Sequence, residues 1–273
     1  MLRTQRIRNA ARRRKQVTRR LVAVQSVPSI RTLARMIEIT DLLPTRALRF
    51  GAVVASGVSP EARPDGYDEA LAALLAERQG ELPDTLDRRR IAVRESLRHG
   101  VYRPAGRAKP CPEYLLRTAQ DDAFPRINAV VDASNFVCLG AMLPISLFDL
   151  DLAATDRMVL RYGRTGEAYV FNASGQTIDL EDLVVGAAAH DGDALADSLP
   201  LVNPVKDALA AKTTNVSTRV CALVYAPAVS DGALEAAVRD LKTWLARCGP
   251  AGGPPPTVAG GIVPAGGTLR LSR

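Results

Sequence analysis

Residues 125–151, PRINAVVDASNFVCLGAMLPISLFDLD, constrain the fold more than any other stretch of the chain. From residue 130 to 139 the apolar positions follow helical spacing. Val130, Ala133 and Val137 mark one face, and Asp132, Asn135, Phe136 and Leu139 another. Pro144 then stops the helix and opens an extended segment, because proline disfavours helical geometry in the residue before it. Asp132, Ser134, Asn135, Ser146 and Asp149 interrupt these apolar runs. Buried polar groups must find partners, so the cluster is either a structural network or the lining of a pocket.

The flanking sequence predicts a mixture of elements. Residues 48–58, LRFGAVVASGV, read as a strand bounded by Gly51 and Gly57. Residues 67–79 read as a helix with Leu71, Leu74 and Leu75 at helical spacing. Residues 86–98 read as a charged helix whose sparse apolar positions are Ile91, Val93 and Leu97. A loop rich in Gly, Pro and basic residues spans 100–112, and 113–120 reads as a short helix. Further on, 158–162 and 167–171 flank G-R-T-G, a hairpin signal. Strands are also predicted at 177–180, 183–188 and 219–225, the last being the most apolar. A final helix starts from a cap at Ser230 or Asp231, carries the stripe Leu234, Ala237, Val238, Leu241, Trp244 and Leu245, and stops at Gly249. The Gly/Pro-rich segment 249–273 reads as a loose tail with at most one strand, 268–271. Helices and mostly antiparallel strands are mixed rather than strictly alternating, which predicts an α+β fold.

Charge is unevenly placed. Of 36 Lys and Arg residues, eleven lie in the first 37 residues, which hold no acid; the rest of the chain has 25 bases against 29 acids. The basic arm, residues 1–35, is therefore set apart from a slightly acidic body. It fits a phosphate-contacting tail, an Arg-rich targeting peptide, or a segment outside the native protein, with Met36 as the start; the last is preferred. No apolar run approaches the roughly 20 residues that span a bilayer, so a membrane protein is not expected. Four widely spaced cysteines without C-x-x-C, and only two histidines (His99 and His190), argue against a zinc cage and for reduced thiols in the cytoplasm.

No phosphate-binding glycine loop, H-E-x-x-H or G-x-S-x-G motif occurs. Any histidine-based mechanism must use His99 or His190, and neither has an obvious companion. Beyond the cluster around Asp132 and Ser146, a second polar cluster, Lys206, Asp207, Lys212, Thr213, Thr214 and Asn215, lies in a stretch of weak secondary structure. Loops beside rigid strands are common sites of ligand contact. Asp132 and Asp149 also suit purely structural roles, Asp149 as the acceptor of a turn. Cys138 and Cys221 sit in apolar contexts, as buried small hydrophobes do.

The stretch 125–151 resembles the B3/B4 domain of the phenylalanyl-tRNA synthetase β-subunit, whose pattern runs approximately R-x-I-N-x-V-V-D-x-T-N-Y-V, then P-L-H-A-F-D-L-D. The matches are Arg126, Ile127, Asn128, Val130, Val131, Asp132, Asn135, Val137, Pro144, Phe148, Asp149, Leu150 and Asp151. The resemblance continues through GQTIDLEDLVVGAA and RVCALVYAP. It implies a single B3/B4-like domain over 36–248 with its motif core at 125–227, and a central β-sandwich of mostly antiparallel strands flanked by helices. Class II synthetase motifs and an ATP site are missing, so the chain looks like a free-standing version of the domain rather than a ligase.

In the synthetase this domain hydrolyses tyrosine wrongly esterified to phenylalanine tRNA. The resemblance therefore implies a trans-acting editor that hydrolyses misacylated aminoacyl-tRNA. A non-catalytic module that binds tRNA or an amino acid is the alternative, and a small-molecule hydrolase unrelated to tRNA ranks below both. Ser134 replaces the family threonine and Asn135 keeps its asparagine, which together line the family's editing pocket. Ser146 stands where the family has histidine, and a hydroxyl can position water but cannot act as an imidazole does. Asp207 is the acid nearest to the family's specificity glutamate, Ala222 matches a small residue that leaves room for the amino-acid side chain, and Thr213 and Asn215 border the same pocket. The implied partner is aminoacylated tRNA, with no DNA, membrane, metal or organic cofactor. Such esters are reactive enough that positioning and hydrogen bonds suffice without a nucleophile.

Overall fold

A computed structural model describes residues 36–190, 192, 194–229 and 232–272. In chain order these form β1 (Met36–Asp41), β2 (Leu48–Ser56), α1 (Tyr67–Glu77), α2 (Asp84–Leu97), α3 (Cys111–Gln120), α4 (Ala129–Ala141), β3 (Ile145–Asp149), α5 (Leu150–Ala153), β4 (Arg157–Tyr162), β5 (Ala168–Val170), β6 (Thr177–Asp179), β7 (Val184–Ala189), β8 (Leu199–Val202), β9 (Arg219–Pro227), α6 (Ala233–Leu245), β10 (Thr257–Val263) and β11 (Thr268–Ser272). The basic arm expected over 1–35 lies outside the described residues, as do the expected cap residues Ser230 and Asp231.

One sheet has the order β10-β2-β9-β3 and a second β11-β1-β4-β7-β8; β5 and β6 make a separate ribbon. Every strand pair but one is antiparallel; β1 and β4 run parallel, with Glu38 opposite Arg157. The fold is α+β. β9 is buried from Val220 onward because both of its faces are covered, which is why it reads as a continuous apolar run. On one side the second sheet closes in: a Cβ on Gly186 of β7 would lie 2.8 Å from Leu223 Cδ1 of β9. On the other side α6 lies across β2, inserting Leu234 and Val238 over Gly51. Phe50 and Tyr225 meet edge to face across the β2–β9 pair, centroids 5.9 Å apart. Each such fully buried ring stabilises the fold by about 1.5–3 kcal/mol.

Helix α4 forms where the sequence predicts. Asn128 caps it, its Oδ1 accepting from Val131 N at 3.0 Å, and Met142 ends it in the left-handed region at φ 51°. α4 packs against α6, and the Tyr67, Phe136 and Trp244 rings meet tilted or edge to face between α1, α4 and α6, the last two with centroids 5.1 Å apart. Two members of the polar cluster are structural. Asp132 accepts from Ile127 N at 2.7 Å and from Arg63 at 2.9 Å. Asp149 caps α5, accepting from Asp151 N at 2.7 Å and Leu152 N at 3.0 Å.

Three local expectations are corrected. G-R-T-G does not join a hairpin: β4 pairs with β1 and β7, while β5 pairs with β6. Met158, Val159 and Leu160 are buried and need a covered position between two strands, which the exposed β5 could not supply. The connecting turn is instead tied by an Arg161–Glu167 ion pair at 2.8 Å. Gly51 does not bound its strand but lies inside β2, where a Cβ would come within 2.4 Å of Val238 Cγ2. The segment 249–273 is no loose tail. β10 pairs with β2 from Thr257 opposite Ser56, and β11 with β1 from Met36 opposite Ser272, so the segment adds a strand to each sheet. Its glycines hid this, since the alternation that marks a strand is weak where side chains are missing. No helix among the described residues is long and apolar enough to cross a membrane.

Candidate functional site

A cleft of about 1690 Å³ opens beside α3, α4 and β3. Its walls are the loop before α3, the first turns of α3, one face of α4, the inner positions of β3, the β5–β6 ribbon and the loop 205–213. This exceeds the roughly 300–1,000 Å³ of a small-molecule pocket, so it has room for more than a lone metabolite.

Local geometry decides which predicted residues reach the cleft. On α4, Val131 and Asn135 lie one turn apart and line it. Ser134 is turned about 100° from Asn135 and is buried away from the cleft. On β3, Ile145 and Leu147 line the cleft, so Ser146 between them points to the other face. There Ser146 Oγ donates to the Asn203 carbonyl oxygen at 3.0 Å and lies 3.2 Å from the Tyr225 hydroxyl, beside the Asp207 carboxyl. Ala222 of β9 is opposite Leu147, fully covered and outside the cleft lining. Thr213 lines the cleft, whereas Asn215 is exposed on the 214–217 turn beyond it. Asn135, Asp207 and Thr213 are therefore brought together; Ser146 stands behind Asp207; Ser134, Ala222 and Asn215 do not join them.

Asp207 is held by the turn that precedes it. Asn203 Oδ1 accepts from Val205 N at 2.7 Å and Lys206 N at 2.8 Å, folding the loop back. The Asp207 carboxyl then accepts from Asn203 N at 3.2 Å, and the nearby Ser146 side chain and Leu147 backbone also favour its charged form. Burial penalises its charge more than these hydrogen bonds and Lys212 favour it, and the carboxyl is pushed up to about 7. The cleft thus contains a carboxyl group poised to exchange a proton near neutral pH.

Both strands of the ribbon were expected from sequence, but not their pairing with each other or their place over the cleft. The Tyr169 hydroxyl of β5 donates to Lys206 O at 2.8 Å and accepts from Asn203 Nδ2 at 2.5 Å. Lys212 Nζ donates to Phe171 O at 2.7 Å, and Lys206 Nζ lies 4.2 Å from the Phe171 ring centroid. These contacts pin the ribbon over the Asp207 loop. A strand pair too short and too exposed for either sheet was the one available signal. Arg103, Arg107, Lys109, Arg117, Lys206 and Lys212 outnumber the acids Glu113, Asp179, Glu181 and Asp207 in the cleft lining, although the body of the chain is slightly acidic. His99, expected to have no companion, stacks on Tyr162 with centroids 3.7 Å apart and lies 4.0 Å from Asp182. Neither histidine lines the cleft. Among the described residues no group of three or more His, Cys, Asp or Glu side chains could hold a metal ion.

Residues 101–226, which contain every residue lining the cleft, match the B3/4 domain family. The middle of the chain is thus similar to a B3/4 domain. Its curated relatives include phenylalanine–tRNA ligase beta subunits. That of Streptococcus pyogenes is 36% identical over 84 residues, 30% of this chain and 10% of its own. That of Anaeromyxobacter dehalogenans is 34% identical over 88 residues, 32% of this chain and 11% of its own. The chain thus matches only about a tenth of the length of these relatives.

Proposed function

We propose that the cleft binds the aminoacylated end of a tRNA and hydrolyses its ester in trans, as an editing domain does. The observation that carries this reading is Asp207, a carboxyl raised to about 7 in the wall of a cationic cleft that also presents the Asn135 amide. Above that pH the carboxylate accepts a proton from water as the water attacks the ester carbonyl. Ser146 and the Asn203 amide hold the carboxylate in place, and the Asn135 amide donates to the carbonyl oxygen as charge develops there. The cations of the cleft lining meet the phosphates of the terminal nucleotides, and the relatives' names, which join phenylalanine to tRNA, support a charged tRNA as the ligand. No metal or organic cofactor enters the scheme. Tyrosine on phenylalanine tRNA is the first substrate to try.

The test is a deacylation screen over correctly and wrongly charged tRNAs. Release above the buffer rate is expected, rising with pH through about 7 and falling on the order of 10²-fold or more in Asp207→Asn. Asn135→Ala is expected to cost about 10²-fold. Saturable binding with no release from the folded protein would overturn hydrolysis and establish the second reading, a binding module. One observation favours that second reading: no imidazole lines the cleft.

A further inference from the structure

Two of the four free cysteines meet at the cleft wall. Cys111 opens α3, is half-buried and lines the cleft; Cys138 is buried on α4, and their sulfurs lie 3.7 Å apart. A disulfide holds its sulfurs at about 2.05 Å, so the pair has less than about 2 Å to close. The other two thiols are placed differently. Cys221 is buried within β9, and Cys248 is buried with its sulfur 3.4 Å from Trp244 O; neither lines the cleft. Cys111 and Cys138 are thus a contacting pair with one member open to solvent. Cys138 also lies one turn beyond Asn135 on α4, so closure would act on the cleft wall.

We propose that Cys111 and Cys138 form a peroxide-sensitive dithiol that closes to an intramolecular disulfide joining α3 to α4. Cys111 sulfur attacks one peroxide oxygen, the O–O bond breaks, and a sulfenic acid and one water form. Cys138 sulfur then attacks the Cys111 sulfur, the S–O bond breaks, and the hydroxyl leaves as a second water with the thiol proton. The two thiols lose two electrons and two protons in total, and peroxide is reduced to two waters. Burial holds the Cys138 thiol well above its ordinary range, so it is poorly reactive alone and acts only on the sulfur in contact with it. Closure removes the Cys111 thiol from the Ile145 carbonyl, 3.7 Å away in the reduced protein.

The reduced full chain is treated with stoichiometric hydrogen peroxide, denatured and alkylated. The expected product has lost two hydrogens, yields one linked peptide containing Cys111 and Cys138, keeps two alkylatable thiols at Cys221 and Cys248, and is restored by dithiothreitol. In Cys138→Ser the oxidation is expected to stop at a sulfenic acid on Cys111 that dimedone captures. A linked peptide of any other pairing, or equal dimedone capture by wild type and Cys138→Ser, would overturn the proposal. The peptide map of the wild-type chain decides the matter even where the variant fails to fold.

Discussion

At Asp207 burial and hydrogen bonding pull in opposite directions, and burial prevails. Its carboxyl rises from about 3.8 to about 7, so the folded chain keeps this proton over a range where the unfolded chain has lost it. Stability from this group is full below about pH 4 and declines as pH rises through about 7, by up to about 1.4 kcal/mol per unit. Asp207→Asn lacks that dependence. Urea unfolding of both proteins from pH 4 to 8 should show wild type losing ground to the variant up to about pH 7, with a constant difference above it. A constant difference throughout would show an unperturbed carboxyl. Of the residues singled out from sequence, Asn135, Asp207 and Thr213 share the cleft lining. The placements of Ser134 and Ser146 could be read only once helix phase and strand alternation were known.

Among the elements, the junction of β2 and α6 is the tightest test of packing. Gly51 leaves the space that Val238 and Leu234 fill; a Cβ there would lie 2.4 Å and 3.1 Å from them. Gly51→Ala should destabilise by about 1–3 kcal/mol, read from the denaturation midpoint. Adding Val238→Ala should recover part of that loss, a coupling that only direct contact explains. Helices were the most legible elements because their period is local. α4 could be read to within two residues at each end from Val130, Ala133, Val137 and Pro144. Strand partners could not, because a period of two says that 158–162 is extended and nothing about whether it lies beside 167–171 or beside β1 and β7.

The domain spanning the described residues is closed by two strands from the segment 257–272. β10 forms one edge of the four-stranded sheet and β11 one edge of the five-stranded sheet, both drawn from residues that read as a tail. Removing 257–273 would bare β2 and β1, buried strands with their hydrogen-bonding edges open. Such a chain should lose its cooperative thermal transition, followed by circular dichroism, and aggregate; an unchanged transition would show that the segment is dispensable. The α+β class was legible because helical and strand patterns alternate irregularly along the chain. The closure was not, because it depends on pairings between residues more than 200 positions apart, such as Met36 with Ser272.

That closure also sets a timetable for synthesis. β1 and β2 are among the first described residues to leave the ribosome, and their edge partners are the last. Until 257–272 emerge, the nascent chain carries two uncovered strands whose groups can pair with any passing edge. Translation halted shortly before that point would release an adhesive chain, so chaperones have a strong claim on it until that segment is made.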